Sequence, residues 1–192
     1  MRFVDVEPDT GNIDASQVEA ALTDRTKLIV PIDFAGQPAD YDALVALARS
    51  RGIGLVADAA HSLGASHRGR PVGTLADASS VSFHPVKPIT TAEGGAVLTD
   101  DATLARRARL FQTHGITKDT NELLDADEGP WWYEQHYLGF NYRLTDVQAA
   151  LGLSQLRRLE AFIERRRALA ALYDRAFANA AAIALPGRRD YS

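Results

Sequence analysis

The stretch TKLIVPIDFAGQPADYDALVALARSRGIGLVAD, Thr26–Asp58, decides the fold. Thr26–Asp33 (TKLIVPID) is an apolar run that reads as a buried strand. Asp40 stands where a helix cap belongs. Leu44, Leu47 and Ala48 make an apolar stripe through Arg51, and Gly52 ends the helix. Ile53–Asp58 (IGLVAD) reads as a second buried strand. Strand, helix and strand at this spacing predict a right-handed βαβ unit with a parallel sheet.

Working outward, Phe3–Val6 reads as a short strand. Asp14 with Gln17 forms a capping box that opens a helix to about Leu22. Ser79–Phe83 and Gly95–Thr99 are two more short strands. Asp100 or Asp101 starts a helix ending near Gly115. Ile116–Arg143 is irregular and holds Trp131, Trp132, Tyr133, Tyr137, Phe140 and Tyr142. A loop of this length is usually functional or at an interface. Thr145 and Gln148 form a second capping box, with helix from there to about Ala180 and a kink near Gly152 or Leu159. No repeat, linker or low-complexity segment interrupts the chain.

Apolar residues make up 46% of the 192 residues and charged residues 24%, the balance of an ordinary globular domain. The net charge of −4 argues against a nucleic-acid partner. The clusters Arg106-Arg107 and Arg165-Arg166-Arg167 read as solvated helix faces. The absence of cysteine excludes disulfides, Cys-ligated zinc, iron–sulfur clusters and a thiol nucleophile. MRFVDVEPDTG carries no apolar signal region, and no apolar run reaches the ~18 residues of a membrane span. A soluble, cytoplasmic protein with no membrane partner is the expectation.

The chain holds three lysines against eighteen arginines, so a generic surface cation here would be arginine. Lys87 nevertheless lies between Pro85 and Pro88, just beyond the strand SSVSF. Lysine can lose its proton at working pH and arginine cannot, so a nucleophilic amine must be lysine. Ligands collect at the carboxyl ends of parallel strands, where Asp58, His61 and Lys87 all fall. An acid, an imidazole and a lysine in one crevice suit pyridoxal 5'-phosphate. The lysine forms the Schiff base, the carboxylate bonds the pyridine nitrogen, and the imidazole stacks on the ring. Ser82 offers a hydroxyl to the phosphate. Blander readings stand beside these: a strand-end aspartate often caps a turn, and a lone histidine is often a satisfied core residue. Asp58 and His61 with His84 also offer a metal set, but without a recognised metal-site spacing, and no metal is expected. There is no G-x-G-x-x-G, Walker A or G-x-S-x-G motif.

DAAHSLGA (Asp58–Ala65), SFHPVKPITTAEGGAVLTDD (Ser82–Asp101) and LGFNYRLTDVQAALGLSQLRRL (Leu138–Leu159) resemble the DegT/DnrJ/EryC1/StrS aminotransferases. That resemblance implies a fold-type-I pyridoxal-phosphate enzyme that aminates keto sugars attached to nucleotides. It implies Lys87 as the Schiff-base lysine, Asp58 on the pyridine nitrogen, His61 on the ring and Ser82 on the phosphate. It implies that Asn141 reaches the cofactor of a neighbouring subunit, and hence a homodimer with shared active sites. HGITKD (His114–Asp119) and GPWWYEQHYLGFNYR (Gly129–Arg143) resemble the family members of pseudaminic-acid biosynthesis. Those imply amination at C4 of a UDP-linked 2-acetamido-2,6-dideoxy-hexos-4-ulose, with glutamate as donor. The aromatic cluster suits stacking on sugar or base, and equally packing at a dimer interface. Another nucleotide-sugar 3- or 4-aminotransferase, or a truncated non-catalytic remnant, is the alternative.

The family is roughly twice as long. The expected architecture is therefore α/β, the central part of a fold-type-I large domain. Residues 1–143 are expected to form the partial cofactor-binding domain. Residues 144–192 are expected to form a helical segment leading toward a small C-terminal domain. The resemblance places further strands and phosphate-holding residues before Met1, so weak cofactor binding by this chain alone is expected.

Overall fold

The computed structural model describes residues 1–125 and 129–192. Among them, four strands build the main sheet: β1 (Leu28–Ile29), β2 (Gly54–Asp58), β5 (Ala78–Ser82) and β6 (Gly95–Leu98), in that order. β1, β2 and β5 run parallel, and β6 returns antiparallel to β5. Two small ribbons accompany it, β3 (Ser66–His67) with β4 (Arg70–Pro71), and β7 (Ile116–Thr117) with β8 (Glu134–Gln135). The helices are α1 (Ala15–Ala21), α2 (Tyr41–Arg51), α3 (Ala102–Gln112), α4 (Asp146–Leu156) and α5 (Leu159–Phe177). The architecture is α/β, with a mostly parallel sheet flanked by helices. No described helix is long and apolar enough to cross a membrane.

The βαβ unit forms where its local signals sit. Asp40 Oδ1 accepts from Ala43 N at 3.2 Å, and Gly52 closes α2 in the left-handed conformation at φ 61°. Leu44 and Ala48 are buried against Ile29, Leu55, Ala57 and Val81. Burying a leucine side chain of this kind contributes about 1.5–3 kcal/mol. Asp101 caps α3 as expected, accepting from Thr103 N and Leu104 N.

Three expectations need correction, and of the two offered kink positions one holds. Phe3–Val6 is not a strand; only Val6 bridges Ile13, because residues 7–12 turn the chain straight back. The Asp14–Gln17 box does not form, although Asp14 still caps α1 by accepting from Ser16 N at 3.0 Å. The backbone N–H of Asp14 already donates to Asp5 O at 3.0 Å, so Gln17 Nε2 bonds the Asp14 carboxylate instead. Thr26–Asp33 is buried on one face only. Ile29, Pro31 and Asp33 face the helices, while Leu28, Val30 and Ile32 are 46%, 52% and 50% exposed. The helix after Thr145, whose capping box is fully formed, breaks at Arg157–Arg158 beside Leu159. Gly152 is a packing residue instead: a Cβ there would come within 2.8 Å of Thr91 Cγ2.

Register explains the open face. Ile32, Asp58, Ser80 and Val97 lie opposite one another across the four strands, and so share one side of the sheet. No described helix of the core cluster covers that side. After α5 the chain returns to the sheet domain. Gly187 N donates to Asp9 O, Arg189 pairs with Glu7 and Asp9, and Arg68 N donates to Tyr191 O at 2.6 Å.

Candidate active site

Lys87 rides on the connection from β5 to β6, and that connection is held at several points. Lys87 N donates to His84 O at 3.0 Å, closing a turn around Pro85 and Val86. Thr91 N and Thr90 Oγ1 both donate to Phe83 O, at 2.9 and 3.0 Å. Thr91 Oγ1 donates to Glu93 O at 2.7 Å, and the side chains of Ile89 and Thr91 are buried. Gly94 is obligatory at φ 152°, because a Cβ would meet Thr91 Oγ1 at 2.5 Å and Leu144 Cδ2 at 2.7 Å. Gln148 Nε2, at the start of α4, donates to Glu93 O at 2.9 Å. The TTAEGG segment thus fixes the backbone that carries the lysine.

Asp58 and Ser82 end adjacent parallel strands. Asp58 pairs with Ser80 in register, so Ser82, two residues on, lies on the same open face. Asp58 Oδ1 accepts from Ala60 N at 3.1 Å, and Oδ2 has no hydrogen-bond partner among the described residues. Ser82 Oγ accepts from His84 N at 3.3 Å. The turn after Asp58 is set by Asp33, a residue whose role the sequence did not disclose. Its carboxylate is fully buried and accepts from Ser62 Oγ (2.6 Å), Tyr41 Oη (2.8 Å) and Ala39 N (3.0 Å). Burial pushes the Asp33 carboxyl above its ordinary value against the pull of those donors, and the Asp58 charge adds to the rise. Asn12 does similar work on the facing loop. It accepts from Phe34 N at 2.7 Å and donates to Gln37 O at 3.0 Å and Pro38 O at 3.2 Å.

His61 and Lys87 meet in one cavity of about 450 Å³, walled by Ala35, Gly36, the His61–Ala65 turn, the Val86–Pro88 turn and α5. His61 Nδ1 accepts weakly from Ala35 N at 3.4 Å. Asp58, Ser82 and Asn141 do not line this cavity. Asn141 lies elsewhere, exposed and bridged to Thr113 at the end of α3. Asp58, His61 and His84 do not converge as a metal set. The described side chains that come within such a distance of one another are Asp40, Asp42 and His67. There Asp40 caps α2 and Asp42 pairs with Arg68 at 2.6 Å.

The aromatic stretch is organised by Glu134. Its carboxylate accepts from Leu124 N (2.8 Å), Asp125 N (3.0 Å) and Trp132 Nε1 (3.2 Å), and pairs with His136 Nε2 (2.8 Å). The His136 bond, then the two amides, hold its pKa down to about 2 from an ordinary 4.5. A depressed carboxyl contributes its stabilisation above 4.5 and loses it as the pH falls toward 2. Acid titration followed by tryptophan fluorescence should show a transition in that window, absent in Glu134→Gln. Superimposable titrations would remove Glu134 as the organising group. Gly115 makes this arrangement possible: a Cβ there would fall 1.9 Å from Tyr137 O. Residues 126–128 of the irregular stretch lie outside the described residues.

The sequence pattern of the DegT/DnrJ/EryC1/StrS aminotransferase family matches residues 1–190. A UDP-4-amino-4,6-dideoxy-N-acetyl-beta-L-altrosamine transaminase of Campylobacter jejuni is 42% identical over 180 residues, 92% of this chain and 45% of the relative. The structure of Helicobacter pylori PseC, an aminotransferase involved in the biosynthesis of pseudoaminic acid, superposes with a TM-score of 0.86 at 37% identity. It covers 94% of this chain and 46% of that one. A putative sugar aminotransferase of Streptococcus pneumoniae, solved in its PLP form, superposes with a TM-score of 0.80 at 34% identity over 92% of this chain and 47% of that one. The chain spans about half the length of the curated relatives it matches. Family-wide match, sequence identity and superposition agree: this chain belongs to the DegT/DnrJ/EryC1/StrS aminotransferase family.

Proposed function

We propose that this chain carries the cofactor half of a pyridoxal-phosphate-dependent sugar aminotransferase. The substrate of this reading is a UDP-linked 2-acetamido-2,6-dideoxy-hexos-4-ulose, aminated at C4 with glutamate as donor. The observation that carries it is the single cavity shared by Lys87 and His61, at the strand ends that also bear Asp58 and Ser82. The residue types suit the cofactor: an amine and an imidazole share the cavity, while Asp58, one of whose oxygens has no hydrogen-bond partner among the described residues, and Ser82 stand outside it at the adjoining strand ends. When bound, pyridoxal phosphate supplies an aldehyde and a ring that delocalises electrons from the carbon bearing the amino group.

The residues divide the work. Lys87 Nζ would hold the cofactor's aldehyde carbon as a nucleophile and would serve as the acid–base group of the reaction. The Asp58 carboxylate would hold the pyridine nitrogen through a charge-assisted hydrogen bond. His61 would stack on the ring, and Ser82 would hold the phosphate through its hydroxyl. The exposed position of Asn141, outside its own Lys87 cavity, supports a two-fold homodimer in which it serves the partner's site.

The test is amino transfer from glutamate to the UDP-4-keto sugar by the complete enzyme, with visible absorbance on adding pyridoxal phosphate as a first readout. Absence of both, with a folded protein, sinks the reading. Asp58→Asn should keep cofactor bound yet slow the half-reaction with glutamate, the lost bond being worth ~1.5–3 kcal/mol. An unchanged single-turnover rate would remove Asp58 from its role.

The open sheet face favours a second reading, in which these residues keep the fold and an association surface without turnover alone. A colourless protein that self-associates after cofactor addition would select it.

A further inference from the structure

We propose that Arg166 and Arg167 form an oxyanion subsite beside Lys87, binding carboxylate or phosphate oxygens of a reactant. The inference rests on the reading of the Lys87 cavity as the reaction site. The run Arg165–Arg167 reads from sequence as a solvated helix face, but helical geometry splits it. Ile163, Arg166, Arg167 and Ala170 fall on one side of α5, and all four line the cavity; Arg165 does not. The helix is seated there by Gly64, at φ 90°, where a Cβ would come within 2.9 Å of Ile163 Cγ1. That close approach brings Arg166 Nη2 to 3.4 Å from Lys87 O.

The charge of the cavity is the decisive feature. The protein has 25 acidic against 21 basic residues, yet the cavity wall holds Lys87, Arg166, Arg167 and His61 and no carboxylate. Neither arginine has an ion-pair partner among the described residues. Beside Lys87, the two exposed guanidinium groups stand on the same side of α5 as the half-buried Ile163 and Ala170. Guanidinium forks match carboxylate and phosphate oxygens in pairs, and do so best beside apolar walls that exclude water. Two reactants carry such oxygens: the amino-acid donor, through its carboxylates, and the sugar nucleotide, through its diphosphate.

The experiment titrates the purified chain by calorimetry with glutamate, with UDP and with uridine as the uncharged control. The double variant Arg166→Gln/Arg167→Gln should weaken one of the two anions at least about tenfold, the effect of losing one charge-assisted pair. A loss for glutamate assigns the donor carboxylate, and a loss for UDP assigns the diphosphate. Uridine binding should not change, and Arg165→Gln should leave every affinity unaltered. Arg166→Lys should recover only part of the loss, since a point charge replaces a fork. Equal anion affinities in wild type and double variant, or no anion binding at millimolar concentration, overturn the subsite. Visible absorbance on adding pyridoxal phosphate is recorded on the same samples. Absorbance with unchanged anion affinity defeats the subsite alone. Anion affinity lost in the variant, but no absorbance in wild type, defeats the aminotransferase reading and leaves the subsite standing.

Discussion

In the complete enzyme, Lys87→Arg is expected to lower amino transfer by at least the ~10²–10⁴-fold that accompanies loss of an acid–base group, and to abolish visible absorbance with pyridoxal phosphate. Arginine keeps the positive charge but cannot release its proton, so it is neither nucleophile nor proton carrier. The loop should not notice the change. Its anchors are the buried Ile89 and Thr91 and the carbonyls of Phe83 and Glu93, none of which uses the lysine side chain. Unchanged circular dichroism with lost absorbance is therefore the expected pair of results. A variant that turns over near normally would refute the assignment of Lys87.

The largest stability effect belongs to Asp33→Ala. Removing the carboxylate leaves Ser62 Oγ, Tyr41 Oη and Ala39 N without their acceptor, in a site with no solvent access. Each stranded donor costs about 1–3 kcal/mol, so the loss should be at least ~3 kcal/mol. For a chain of this size that lowers Tm by about 6–12 °C. Asp33→Asn should be milder, because the amide oxygen still accepts and Ser62 can turn to accept from the amide nitrogen. The sign with pH is opposite to the usual carboxylate. Burial raises the folded pKa above the ordinary 3.8, so this group's contribution weakens as pH rises from 3.8 through the raised value. Differential scanning calorimetry across that range, on wild type and Asp33→Asn, measures it. An Asp33→Ala protein melting within about 1 °C of wild type would show that the site repacks without the hub.

The βαβ unit was legible because its signals are local: a cap at Asp40, a stripe at Leu44 and Ala48, and a terminating Gly52. The structure puts Lys87 on the β5–β6 connection in one cavity with His61, and its place just beyond a strand was legible in the sequence. The hub at Asp33 was not, because its partners lie up to 29 residues away and each is an ordinary serine, tyrosine or amide. The ribbon of Ile116–Thr117 with Glu134–Gln135 has strands of two residues, too short for any alternation to register. Thr26–Asp33 reads as buried because apolar content tells nothing of what covers each face. The arginine run is exposed, as its reading as a solvated helix face implies; what the run alone does not show is that spacing on α5 turns two of the three toward a cavity built by another part of the chain.

The fastening of the lysine loop bears on how protection from solvent is distributed. Amides of Phe83 and Thr91 donate within the connection itself, and Glu93 O is tied to the first turn of α4 through Gln148. Opening the loop therefore requires breaking bonds on both β5 and α4, and exchange of these amides with deuterium must wait for that larger event. Slow exchange at Phe83 and Thr91, tracking that of β5 rather than that of exposed turns, is the signature of a lysine whose backbone is ordered before any reactant arrives. The entropy of arranging that backbone is then spent at folding and is not subtracted from the affinity for the cofactor.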